Sequence, residues 1–219
     1  MSTMIQRSTY RERAAFGLID DIGGVATVLL AVFGLAGLYA PILAAIATIL
    51  FGVALLVQGR ALLAQYTQAS VEVAAKTPFI DSAAAVRFAV ILLGAGGAAL
   101  GVLALLDVNS AVLTPIASII FGAGLVLSSA SAWHLNAVRR AAATGESSAR
   151  DMLANQLALD SFGVQTFAGL TAMILGVLAT LGVTYDLTFN LVALLILGSA
   201  LILKGSSLNA ILLSFMHQV

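Results

Sequence analysis

The sequence predicts an all-α integral membrane protein of six transmembrane helices, arranged as three tandem helical hairpins with both termini on the cytoplasmic side. Three observations predict it. Of 219 residues, 61% are hydrophobic and only 9% are charged, against about 25% charged residues in soluble domains. The mean hydropathy is +1.07. Six apolar stretches are each long enough to cross a hydrocarbon core of ~30 Å as a helix. Strand-type alternation is absent, which argues against a β-barrel.

The spans are read as Leu18–Tyr39, Ile42–Leu63, Ser82–Leu106, Val112–Trp133, Ser161–Val183 and Phe189–Leu212. They pair through short connections at Ala40-Pro41, Asp107–Pro115 and Thr184–Thr188. One membrane domain results. It has an N-terminal segment (1–17), hairpin 1 (18–63), a link (64–81), hairpin 2 (82–133), a second link (134–160), hairpin 3 (161–212) and a tail (213–219). The first span is too long for the apolar core of a cleaved signal peptide and is expected to be retained. In the second link, Ser148-x-x-Asp151 has the spacing of a capping box and offers a short amphipathic helix through Leu159, against the alternative of a solvated connector lying on the membrane surface.

Basic residues set the orientation. Arg7, Arg11 and Arg13 precede the first span; Arg60 and Lys76 fall at or in the first link; Arg139, Arg140 and Arg150 fall in the second. The three short connections carry no Lys or Arg, only Asp107 and Asp186. Both termini and both links are therefore expected in the cytoplasm. Tyr66 and Trp133 then lie at the inner interface, and Tyr39 and Tyr185 at the outer one.

An internal repeat is legible. Gly101-Val-Leu-Ala-Leu-Leu-Asp-Val108 and Gly176-Val-Leu-Ala-Thr-Leu-Gly-Val183 share six of eight residues. Ile120-Phe121-Gly122 follows the first and Ile196-Leu197-Gly198 the second, and Leu50-Phe51-Gly52 stands in the matching place of hairpin 1, after Gly34-Leu-Ala-Gly37. Six residues beyond each signature glycine comes a polar side chain: Gln58, Ser128 and Lys204. Such spacing marks tandem two-helix units.

On these segments the chain resembles the HdeD-like family, six-helix bacterial inner-membrane proteins built from a short repeated unit and associated with acid resistance. The likeness runs over Phe33–Pro41 with Ile49–Gly59, Leu100–Val108 with Ile119–Ser128, and Leu175–Val183 with Leu195–Gly205. The third turn lacks the proline. The resemblance implies a multi-pass protein of the bacterial cytoplasmic membrane and brings no catalytic residues with it.

Candidate site residues are the charges in or beside the spans: Asp20, Asp21, Asp81, Arg87, Asp160 and Lys204. The four acids are read as opening membrane helices, where a carboxylate caps free N–H groups and meets the positive end of the dipole. The functional alternative is a ring of carboxylates at the cytoplasmic mouth, holding protons or cations. Arg87 reaches the inner headgroups by snorkelling, or pairs with an Asp. Lys204 is tilted away from the nearer interface, so pairing with Asp20, Asp21 or Asp160 is expected; burying it alone costs at least ~2.5–3.5 kcal/mol.

Other classes are disfavoured. No cysteine is present, and only two histidines, His134 and His217, without metal-ligand spacing. A net charge of zero argues against nucleic-acid binding. No catalytic triad, paired-carboxylate site or P-loop occurs, so neither an enzyme nor a cofactor, catalytic or metal site is expected. The expected partners are the bilayer and other membrane subunits, including further copies of the chain. Two functions remain: a scaffolding, stress-response or accessory subunit, and a small channel or transporter for protons, ions or a small solute using Lys204 and the Asp cluster. A continuous polar path through the bundle separates them.

Overall fold

In the computed structural model the backbone is described over residues 22–72, 79–142, 149–182 and 185–216, and side chains over 22–60, 88–130, 163–182 and 185–203. Among the described residues the chain is helical throughout, without strands. The helices are α1 (Ile22–Leu35), α2 (Ala40–Glu72), α3 (Phe79–Leu105), α4 (Ser110–Ala142), α5 (Ala149–Thr180) and α6 (Asp186–Met216). Five of them, α2 to α6, are long and apolar enough to cross a membrane; α1 contributes a shorter apolar stretch over its described residues.

The helices overrun the predicted spans. α2 continues past Leu63 to Glu72 and α4 past Trp133 to Ala142, because neither extension contains a glycine or proline to stop it. The expected amphipathic helix ending at Leu159 is instead the first part of α5, which runs unbroken from Ala149 to Thr180. Its residues 149–162 likewise hold no glycine or proline. Pro115, expected in a connection, lies inside α4 as its sixth residue, where its missing N–H removes only one helical bond, to the Ala111 carbonyl.

The first two turns are tight and alike. α1 ends in a left-handed Gly37 (φ 86), with Gly37 N–H bonded to the Gly34 carbonyl at 3.0 Å and Leu38 N–H to Phe33 at 3.2 Å. This is a Schellman cap. α3 ends the same way, with Asp107 (φ 61) bonded to Ala104 and Val108 to Leu103, both at 3.1 Å. Tyr39 (φ 41) and Asn109 (φ 49) then turn the chain, and each offers its carbonyl to two N–H groups of the next helix. α5 ends in Gly182 (φ 69).

α2, α4 and α6 form the centre. Each touches the other two, and 44% of each of their spans is buried, against 28% and 33% for α3 and α5. The odd helices pack around them through glycines. A methyl group on Gly94 would lie 3.1 Å from the Gly52 carbonyl, one on Gly169 2.6 Å from the Gly122 carbonyl, and one on Gly24 2.9 Å from the Gly198 carbonyl. α3 thus rests on α2, α5 on α4, and α1 on α6, which closes the ring. The outward faces of the odd helices are apolar and open: Ile22, Leu29, Phe88, Leu92, Phe167 and Ile174 are all more than half exposed. An apolar surface of that extent is stable against lipid and not against water.

Candidate functional site

The interior of the bundle has a polar end, an apolar middle and a second polar layer. The apolar middle comes from the spacing of residues on the central helices. Phe51 and Leu55 on α2, Phe121 and Leu125 on α4, and Leu197 and Leu201 on α6 are all fully buried and belong to one cluster. The Phe51 and Phe121 rings meet at 4.8 Å between centroids, tilted by 52°, a favourable aromatic geometry. Phe121 also lies over Gly97. Glycine at that position makes room for the ring.

Toward the short turns the same helix faces become polar. Thr114 donates to the Ser110 carbonyl at 2.9 Å. Ser118 donates across to Oδ1 of Asn190 at 2.7 Å, which takes its single proton in preference to the Thr114 carbonyl at 3.3 Å. Asn190 is wholly buried, and its Nδ2 has no partner. Between the starts of α2, α4 and α6 lies a pocket of about 170 Å³, lined by Pro41, Ser110, Thr114, Asp186 and Asn190 among others. Asp186 caps α6, accepting from Leu187 N–H at 2.6 Å.

On the other side of the apolar middle, Gln58, Ser128, Ser129 and Gln165 are buried. Ser128 and Ser129 donate back to Leu125 and Val126 of their own helix, and Ser129 also bonds Thr166 of α5 at 2.7 Å. The Gln58 side chain has neither amide atom paired, and Gln165 leaves its Nε2 unpaired. Among the described residues, Thr27, Thr48, Thr171, Thr180 and Ser199 donate back to carbonyls of their own helices.

Of the predicted site residues, Asp20 and Asp21 lie outside the described residues. Asp81 and Arg87 fall on α3, Asp160 on α5 and Lys204 on α6, with side chains outside the described ones. Asp81 is the third residue of α3. Asp160 is the twelfth residue of α5, so it does not open its helix and the capping role read for it does not hold. The reason is the uninterrupted helical run from Ala149. Among the described residues no group of three His, Cys, Asp or Glu side chains could hold a metal ion.

The sequence places Ser118 and Asn190 only among the polar side chains of the spans that back-bond or bridge neighbours, and gives Thr114 no role. A signal for them exists. Thr114, Ser118, Phe121, Leu125 and Ser128 follow one another at alternating four- and three-residue steps, and so do Asn190, Leu194, Leu197, Leu201 and Lys204. That period keeps one face inward.

Comparison with known proteins finds no matching family model, no matching curated protein and no matching solved structure.

Proposed function

We propose that the chain is a non-enzymatic, HdeD-like protein of the bacterial cytoplasmic membrane, acting as a scaffold, stress-response component or accessory subunit. The observation that carries this reading is the apolar middle of the bundle. Phe51, Leu55, Phe121, Leu125, Leu197 and Leu201 are fully buried between the polar layers, and among the described residues no polar path joins those layers. A channel needs such a path. The exposed apolar faces of α1, α3 and α5 suit lateral association with lipid, with other copies of the chain, or with a larger membrane complex.

The proposal includes three tandem hairpin copies with both termini inside. Gly24, Gly94 and Gly169 stand 70 and 75 residues apart and make the same kind of contact. In that register Gly101 and Gly176 correspond to Ala31, not to Gly34 or Gly37. Asp20, Asp21, Asp81 and Asp160 occupy unlike positions, which weighs against a ring of equivalent carboxylates. Lys204 shares its position with Gln58 and Ser128. The basic residues around the two longer links support the inward orientation of the termini.

The second reading, a small channel or transporter using Lys204 and the acids, draws on the unpaired Gln58 amide. Proton and ion flux into liposomes holding wild type or Lys204→Met tests both. Flux equal to that of empty liposomes is expected from each; wild-type flux lost in Lys204→Met establishes the transporter. Copurification from native membranes at stoichiometric yield identifies the partner that an accessory role requires.

A further inference from the structure

We propose that the pocket at the turn end of the central helices is a binding site for a small neutral molecule carrying a hydrogen-bond acceptor, with Asn190 as its recognition group. The pocket draws on the first turns of all three central helices: Pro41 from α2, Ser110, Thr114 and Pro115 from α4, and Asp186, Leu187 and Asn190 from α6. Asn190 is fully buried, and its Oδ1 is already taken by Ser118. Its Nδ2 has no partner in the protein. An amide N–H left buried and unpaired carries a desolvation penalty, which an acceptor delivered through the pocket removes.

The electrostatics of the lining select a neutral ligand. An anion would gain from the three helix N-termini but would face the Asp186 carboxylate on the same wall. A cation would gain from Asp186 and lose against the N-termini and the amide donor. A neutral carbonyl or hydroxyl compound takes the Nδ2 bond without either penalty. About 170 Å³ accommodates a solute of roughly four or five heavy atoms, or a few waters at about 30 Å³ each. Beneath the pocket the bundle is closed by Phe51, Phe121 and Leu197, all fully buried, so the site is blind-ended. This inference is independent of the accessory role, since a blind pocket is compatible with any partner.

The absence of native cysteine makes thiol labelling a direct test. Ser110→Cys and Thr114→Cys in the purified, reconstituted protein are treated with methyl methanethiosulfonate, with Phe121→Cys and Leu197→Cys as buried references. Both pocket cysteines should react at least about tenfold faster than the references, which need the bundle to open. Acetamide, a neutral acceptor of four heavy atoms, should slow both reactions about threefold or more, a bound fraction set by its affinity. Sodium chloride and guanidinium at equal concentration should not, and Asn190→Leu should abolish the protection. Pocket cysteines as slow as the references overturn the proposal, as does protection by chloride or guanidinium, or protection that survives Asn190→Leu. A circular-dichroism melt of each variant identifies any that is misfolded, and the remaining pocket cysteine then decides.

Discussion

At the scale of single residues, the strained turn positions and the unpaired amides are where sequence changes should act most cleanly. Asp107 holds φ 61 at the end of α3, where α1 and α5 use Gly37 and Gly182. A non-glycine residue pays a steric cost in that region, and the cap needs only the backbone. Asp107→Gly is therefore expected to stabilise by about 0.5–1 kcal/mol, read as a higher thermal midpoint in detergent; a lower midpoint would mean that the carboxylate makes a bond the turn requires. Gln58 presents the opposite case. Its two amide atoms are buried and unpaired, so Gln58→Met, close in volume, should be neutral or stabilising by up to about 2 kcal/mol. Loss of stability there would show that the amide is bonded in the membrane-embedded protein. Ser118→Ala should cost about 1 kcal/mol, because it strips the Asn190 Oδ1 of its bond and leaves both ends of that amide unpaired.

At the scale of helices, close approach through glycine holds the odd helices to the centre. A methyl group on Gly122 would sit 2.5 Å from the Gly169 carbonyl, a backbone atom that cannot move aside alone, whereas one on Gly96 meets nothing within 4 Å. Gly122→Ala should thus lose about 1–3 kcal/mol by forcing α4 and α5 apart, while Gly96→Ala should gain up to about 1 kcal/mol from helix propensity. Equal effects of the two substitutions in a detergent melt would remove glycine packing as the cause. Much of this level is legible in the sequence. Spans in a chain of Ala, Leu and Gly announce themselves by hydropathy, and the recurring Gly52, Gly122 and Gly198 mark the central helices. Helix ends are not legible in the same way. Polarity changes at Leu63 and Trp133, but the helices continue to Glu72 and Ala142. For the same reason the polarity change at Asp160 lies inside α5 and not at its start. The Asn190–Ser118 bond is hidden for a different reason: it joins residues on α4 and α6, and only packing tells which of many intramembrane hydroxyls and amides meet.

At the scale of the whole molecule, the contact between α1 and α6 is the decisive feature, because it ties the first hairpin to the last. Gly24 meets Gly198 as Gly94 meets Gly52 and Gly169 meets Gly122. On the three-hairpin reading proposed above, each hairpin then has an equivalent neighbour on either side, and the interfaces between helices supply the stability. A circular permutant tests this. It would open the chain between α2 and α3, within residues 73–78, and join the original C-terminus to the original N-terminus through a Gly/Ser linker. Hairpin 1 then follows hairpin 3 in sequence. On the proposed topology each hairpin enters and leaves the bilayer on one side, so none has to invert. The permutant is expected to insert, purify as the same species and melt within about 5 °C of wild type, a shift of order 1 kcal/mol. Gly198→Leu, which crowds the α1·α6 contact, should destabilise both proteins alike, since that interface is the same whether its helices belong to chain ends or to neighbours in sequence. A permutant that aggregates, or that tolerates Gly198→Leu when wild type does not, would mean that the ring is closed by chain order and not by the packing of α1 on α6.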